Sequence, residues 1–196
     1  MNPVFRLISA IIGLFLATTS PAAADKNPLP ARIDKLVAAN QVGPVADGAV
    51  DEEFLRRIYL DLHGMIPTAE EARKFLTAED PARREKLVDE LLARPEFTRH
   101  MVRTLDLMLM ERRKDKYVKT DPWRDYLHAA VSKNRPFHQL AGEILGADGS
   151  DQDKHAAAKF LLEREAEASS LTRDIGRIFL GKDLQCAQCH DHPRID

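Results

Sequence analysis

The clearest chemical signal in the sequence is the run Cys186-Ala187-Gln188-Cys189-His190. Two thiols three positions apart, followed at once by a histidine, have the spacing at which haem is attached covalently. Each thiol adds to one vinyl group of the haem, and the imidazole becomes an axial ligand of the iron. The pattern therefore predicts a haem c site formed by Cys186, Cys189 and His190.

The same residues also suit two other uses, a local disulfide and a metal site. The 196-residue chain has only 2 cysteines, so no long-range disulfide is available to stabilise the fold. His192 adds another nitrogen, which makes His190 and His192 candidate metal ligands or places His192 beside a ligand in a surface turn. A closed zinc site built from one such short run is strained, because structural zinc sites usually take a second ligand pair from elsewhere. Haem, metal and disulfide all stay open at this stage.

The N-terminal residues have the three parts of a secretory signal in order. Arg6 is followed by the apolar stretch 7–17, then by Ser20-Pro21 and the small residues 22–24. The stretch is shorter than the roughly 20 residues that span a bilayer, so we expect cleavage and no transmembrane segment afterwards. We predict a signal peptide over 1–24 and a mature protein in the periplasm or outside the cell; an uncleaved interfacial anchor is the alternative.

Composition and charge restrict the function classes. The chain has 29 basic and 31 acidic residues, a net charge of −2, whereas a nucleic-acid-binding protein would show a basic excess. We find no glycine-rich phosphate loop and no arrangement that identifies a catalytic nucleophile. We therefore predict no nucleic-acid partner and assign no catalytic residues.

Helix start and stop signals follow one another along the chain with little space for strands. Asp51 is a candidate N-cap, Thr68 and Glu71 form a capping box, and Pro95 opens a longer helix. The final helix is expected from about Ser170 to Leu180, with glycine after it. We predict a compact all-α array of seven to nine short helices over residues 30–196, preceded by a linker at 25–29.

Several residues that invite a chemical role have simpler explanations. The methionines of the longer helix lie at helical spacing, which favours core packing over haem ligation; they are Met101, Met108 and Met110. The charged run 111–116 is typical of a solvated helix end. The scattered histidines are expected to be exposed or capping; they are His63, His100, His128, His138 and His155.

Two long motifs carry a resemblance to a known family. Residues 54–68 read FLRRIYLDLHGMIPT and resemble the opening R-R-x-Y-L-D-L-x-G-x-x-P-T of the planctomycete-type cytochrome-associated domain of unknown function, family 1549. Residues 179–193 read FLGKDLQCAQCHDHP and are similar to its closing motif F-L-G-x-x-x-Q-C-A-Q-C-H-x-H-P. Residues 86–93 are similar to its middle segment, so the resemblance covers about residues 30–196.

The resemblance implies an exported protein in which a companion domain follows this one, and it implies no particular activity. Two departures accompany it: Arg194-Ile195 replaces an aromatic residue and an aspartate, and the sequence stops at Asp196 where relatives continue. We therefore expect a truncated member. The leading hypothesis is an exported haem c protein with a redox partner, acting in electron transfer or within an oxidoreductase assembly. The alternative is a non-haem binding or structural module of a surface-associated degradative system.

Overall fold

The computed structural model describes residues 28–44 and 46–185, which fall into two compact units divided after Gly48. The described part of the first unit contains one helix, α1 (Leu29–Ala39). Its apolar side chains are exposed, with Leu36 and Val37 about two-thirds accessible. The predicted signal peptide lies outside the described residues.

Helices joined by loops make up the described residues of the second unit. Its elements are α2 (Asp51–His63), α3 (Ala69–Leu76), α4 (Arg83–Ala93), α5 (Pro95–Met110), α6 (Thr120–Ser132), α7 (Phe137–Gly146), a 3-10 turn (Gln152–Lys154), α8 (Lys159–Leu162) and α9 (Ala168–Leu180). Together with α1, the described chain has nine α-helices and no strand, which confirms the predicted all-α class. None of these helices has the length and apolar character that crossing a bilayer requires.

Two large apolar clusters fill the second unit, beside a small one formed by Ala147, Ala157 and Ala158. The first, from α2, α3 and α4, consists of Leu55, Tyr59, Phe75, Leu87 and Leu91. The second, from α5 to α8, consists of Val102, Leu109, Met110, Trp123, Leu127, Ala130, Leu140, Ile144 and Phe160. Helix α5 packs against α2, α4 and α6, so it links the helices of the first cluster to those of the second.

The helix starts show where local sequence signals succeed and where they fail. The predicted capping box is present: Thr68 Oγ1 accepts from Glu71 N at 3.2 Å, and Glu71 Oε2 accepts from Thr68 N at 2.9 Å. The prediction that Asp51 caps α2 is wrong, because Val50 is the N-cap residue. The Asp51 carboxylate instead accepts hydrogen bonds from Arg83 and Arg84 of α4.

Glu71 also joins α3 to α4 and α2. Its Oε1 accepts from Arg94 Nη1 at 2.6 Å. Partial burial would raise the pKa of Glu71, but hydrogen bonds from Arg94, Thr68 and Tyr59 outweigh burial and lower it to about 2. The carboxylate is therefore ionised in the folded protein down to strongly acidic pH.

Replacing Glu71 with glutamine should destabilise the protein near neutral pH and have little effect in strong acid. The pKa of Glu71 is about 2 in the folded protein and about 4.3 in an unfolded chain. Its carboxylate therefore contributes stability above about pH 4.3, and this contribution disappears as the pH falls toward the folded value. Allowing for partial solvent screening, we expect a loss of about 1–2 kcal/mol at neutral pH, measured by urea unfolding.

The matched control is Glu70→Gln, which removes a neighbouring exposed carboxylate from the same first turn of α3. This variant should track the wild type at every pH. A stability deficit of Glu71→Gln that stayed constant down to about pH 2.5 would show that the charge is not the cause.

Candidate functional site

The predicted attachment residues Cys186, Cys189 and His190 lie outside the described residues, and so does His192. The structure describes the chain that leads to them, as far as Gln185. We call residues 181–185 the approach segment. Together with α9, it is the part of the fold from which the sequence motif extends.

Residues adjacent in sequence determine where helix α9 begins and where it ends. The Glu167 carboxylate accepts from Ser169 N at 2.9 Å and from Ser170 N at 2.7 Å, which satisfies free N–H groups of the first turn. The helix ends at Gly181, whose φ of 62° is left-handed. The apolar face of α9 packs on the second core cluster through Leu171, Ile175, Ile178 and Phe179.

The approach segment folds back onto α9 at Gly176. Lys182 N donates to Gly176 O at 2.8 Å, and Gln185 N donates to Asp183 Oδ1 at 3.0 Å. A Cβ added at Gly176 would lie 2.8 Å from Leu184 Cδ1 and 3.1 Å from Lys182 O. Glycine is therefore what allows this close approach, and Leu184, two residues before Cys186, lies against α9.

Asp174 holds α9 to the rest of the unit. Its carboxylate is 1% exposed and accepts from Arg164 Nε at 2.7 Å, Arg113 Nη2 at 3.0 Å and Arg173 Nε at 3.0 Å. We call these four residues the Asp174 network. Burial would raise the pKa of Asp174, but the hydrogen bonds from Arg164 and Arg173 outweigh it and keep the pKa below the ordinary value. Asp174 is therefore a buried anion that three guanidinium groups neutralise.

Arg164 extends the network to two other helices. Its Nη1 donates to Phe160 O at 2.9 Å and its Nη2 donates to Leu109 O at 3.0 Å. The guanidinium carbon lies 3.9 Å from the centroid of the Phe160 ring, a cation–π contact away from water. The ends of α5 and α8 are thereby fixed to α9 by one side chain.

The run 111–116 follows the end of α5 and is exposed except for the half-buried Arg113, as the sequence predicted, but several of its charges have partners. Glu111 pairs with Arg177 of α9, and Asp115 Oδ1 accepts from Lys159 Nζ at 2.9 Å. Lys159 is only 1% exposed, and hydrogen bonds from Lys159 and Thr120 lower the pKa of Asp115 to about 2. These charges have partners that lie 44 to 66 residues away in sequence, which a local charge pattern does not reveal.

Two further sequence expectations are corrected by the structure. His63 was expected to be exposed or capping, but it is 6% exposed, with Nε2 3.0 Å from Leu91 O, because the end of α2 packs on α4. Of the methionines assigned to the core, Met110 is 2% exposed whereas Met108 is 39% exposed. Within residues 28–44 and 46–185, no three His, Cys, Asp or Glu side chains are placed to hold a metal ion.

Comparisons with other proteins agree with the motifs at both ends of the domain. Neither the curated proteins nor the solved structures provide a match to the chain. A family model described as PSCyt2, protein of unknown function (DUF1549), matches residues 31–195, and the chain belongs to this family.

Proposed function

We propose that this chain is an exported haem c protein that acts in electron transfer or within an oxidoreductase assembly. Cys186 and Cys189 would form the thioethers and His190 would supply the axial nitrogen. The observation that carries the proposal is the placement of the chain's only 2 cysteines three positions apart and directly before a histidine. The family description, which names a cytochrome-like type, supports it.

The donor set fits the group. Two thiols and an imidazole are the residues that covalent haem requires, and the chain has no third cysteine to draw either thiol into another disulfide. Haem, once bound, supplies an iron that exchanges one electron reversibly. The protein's own contribution begins with the approach segment, because its contact with Gly176 restricts the peptide from which the thiols extend.

The test is to express the full chain together with a cytochrome c maturation system and to measure its mass. We expect a mature N-terminus near Asp25 and a mass increased by one haem. Cys186→Ser combined with Cys189→Ser should abolish the increase. His190→Ala should retain part of the attachment and change the spin state of the iron, because the axial nitrogen is lost.

The matched control is His138→Ala, which removes an exposed imidazole of α7 and should leave mass and spectrum unchanged. An unmodified mass would overturn the proposal, and a mass lower by two hydrogens would identify a Cys186–Cys189 disulfide instead. Stoichiometric metal that is lost in the double cysteine variant would assign the cluster to metal binding. A retained Met1 would overturn export through a cleaved signal.

A further inference from the structure

A cavity of about 710 Å³ lies along α5, the loop that follows it and the start of α6. Small-molecule sites commonly have volumes of roughly 300–1,000 Å³. Six cationic side chains line the cavity: Arg99, Arg103, Arg112, Arg113, Arg124 and Lys159. Asp106 is the only acidic side chain among its lining residues.

The only carboxylate that lines the cavity already accepts hydrogen bonds from two neighbouring side chains. Asp106 Oδ1 accepts from Trp123 Nε1 at 3.0 Å, and Oδ2 accepts from Arg124 Nε at 3.1 Å and Nη2 at 3.0 Å. Asp106 therefore neutralises Arg124 and has little capacity left for the other cations. The cavity keeps a local positive charge although the whole chain carries −2.

Three of the other cations have partners outside the lining. Arg99 pairs with Glu96 at 2.7 Å, Arg113 belongs to the Asp174 network, and Lys159 bonds to Asp115. The side chains of Arg103 and Arg112 have neither an ion pair nor a hydrogen bond to any residue in the described ranges 28–44 and 46–185. These two guanidinium groups are therefore the ones available to a ligand.

The backbone places Arg112 at the cavity under strain. Glu111 and Arg112 both have positive φ, 49° and 62°, a conformation that costs energy for residues with a Cβ. The ion pair of Glu111 with Arg177 and the hydrogen bond of Arg113 to Asp174 hold the loop on both sides. The fold thus fixes an unpaired arginine beside other cations, where repulsion between like charges opposes it.

We propose that this cavity binds a small anion that carries two or more oxyanion groups, with Arg103 and Arg112 in direct contact with it. Five of the six lining cations are arginines, whose planar forks bind phosphate, sulfate or carboxylate through paired hydrogen bonds. The remaining lining includes Val102, Leu107 and Met110, which offer apolar contacts to a carbon skeleton. The proposal is independent of haem attachment.

Isothermal titration calorimetry of the full chain tests this proposal with pyrophosphate, citrate and a disulfated disaccharide. We expect at least one of the three to bind, and the one that binds assigns phosphate, carboxylate or sulfate as the recognised group. Arg103→Gln combined with Arg112→Gln should weaken binding at least about tenfold, since both guanidinium groups that contact the anion are lost. Raising the ionic strength from about 0.01 M to about 0.1 M should also weaken it, because screening increases.

The matched control is Arg56→Gln combined with Arg57→Gln, which removes two exposed charges from α2 outside this cavity. The control should bind like the wild type, and circular dichroism should show that both double variants are folded. Absence of binding to all three probes would overturn the proposal. Equal binding by the cavity variant and the wild type, or acetate binding as tightly as citrate, would overturn it as well.

Discussion

Asp174→Ala is expected to lower the free energy of unfolding by about 3–5 kcal/mol, because it leaves a buried guanidinium without its counter-charge. The Arg164 side chain is fully buried and donates its Nε to Asp174. The same substitution also removes the ion pairs that Arg113 and Arg173 make with Asp174. Since a domain of this size has a total stability of about 5–15 kcal/mol, the variant should be substantially unfolded on mild heating, as followed by circular dichroism.

The control for Asp174→Ala is Asp89→Ala, which replaces an exposed aspartate inside helix α4 and so reproduces the change in helix propensity. It should differ from the wild type by less than about 0.5 kcal/mol. The double variant Arg164→Met with Asp174→Ala should lose less than the sum of the single changes, because it leaves no fully buried guanidinium without a counter-charge. A loss below about 1 kcal/mol for Asp174→Ala would contradict the account of the network.

Trp123→Ala should cost a comparable amount, about 3–5 kcal/mol, through loss of packing. Trp123 is 0% exposed in the second core cluster, and its ring stacks on Tyr126 with centroids 5.9 Å apart. The substitution opens a cavity between α5 and α6 and removes the donor to Asp106 Oδ1. Because the chain contains 1 tryptophan, denaturant unfolding of this variant must be followed by circular dichroism rather than by fluorescence.

Trp123→Phe is the milder change at the same position. It keeps a six-membered aromatic ring but loses the indole N–H and part of the ring volume, so we expect a loss of about 1–2 kcal/mol, smaller than that of Trp123→Ala. Tyr117→Ala, at a half-exposed aromatic residue, is the control for aromatic truncation and should cost little. If Trp123→Ala cost no more than Tyr117→Ala, the assignment of Trp123 to the core would be wrong.

The elements that could be predicted from the sequence are those that depend on neighbouring residues. The capping box at Thr68, the start of α5 at Pro95 and the end of α9 at Gly181 each rest on side chains within a few positions. The all-α class follows from such signals taken together. Asp51 shows the limit of this reasoning. Aspartate is a good capping residue, but the carboxylate of Asp51 accepts hydrogen bonds from two arginines of another helix and does not cap α2.

The partners and surroundings of the charged residues that form the cavity and the Asp174 network could not be predicted from the sequence. Arg112 and Arg113 stand in a run that is typical of a solvated surface, yet one contributes to a basic cavity and the other to a buried network. Their environment depends on residues of α9 and α6, so only the tertiary fold determines it. The attachment motif is the opposite case, because its spacing is local and its prediction stands on the sequence alone.

The Asp174 network also has a consequence for the order in which the chain folds. Its contacts join residues that are 55 and 61 positions apart, whereas the bond between Trp123 and Asp106 spans 17. Contacts between distant residues must close a long loop before they stabilise anything, so we expect α5 and α6 to associate early and α9 to dock late. Because Lys182 and Leu184 contact Gly176, we expect the approach segment to become ordered together with α9. The peptide next to the two cysteines should therefore stay open to a modifying enzyme until the last stage of folding.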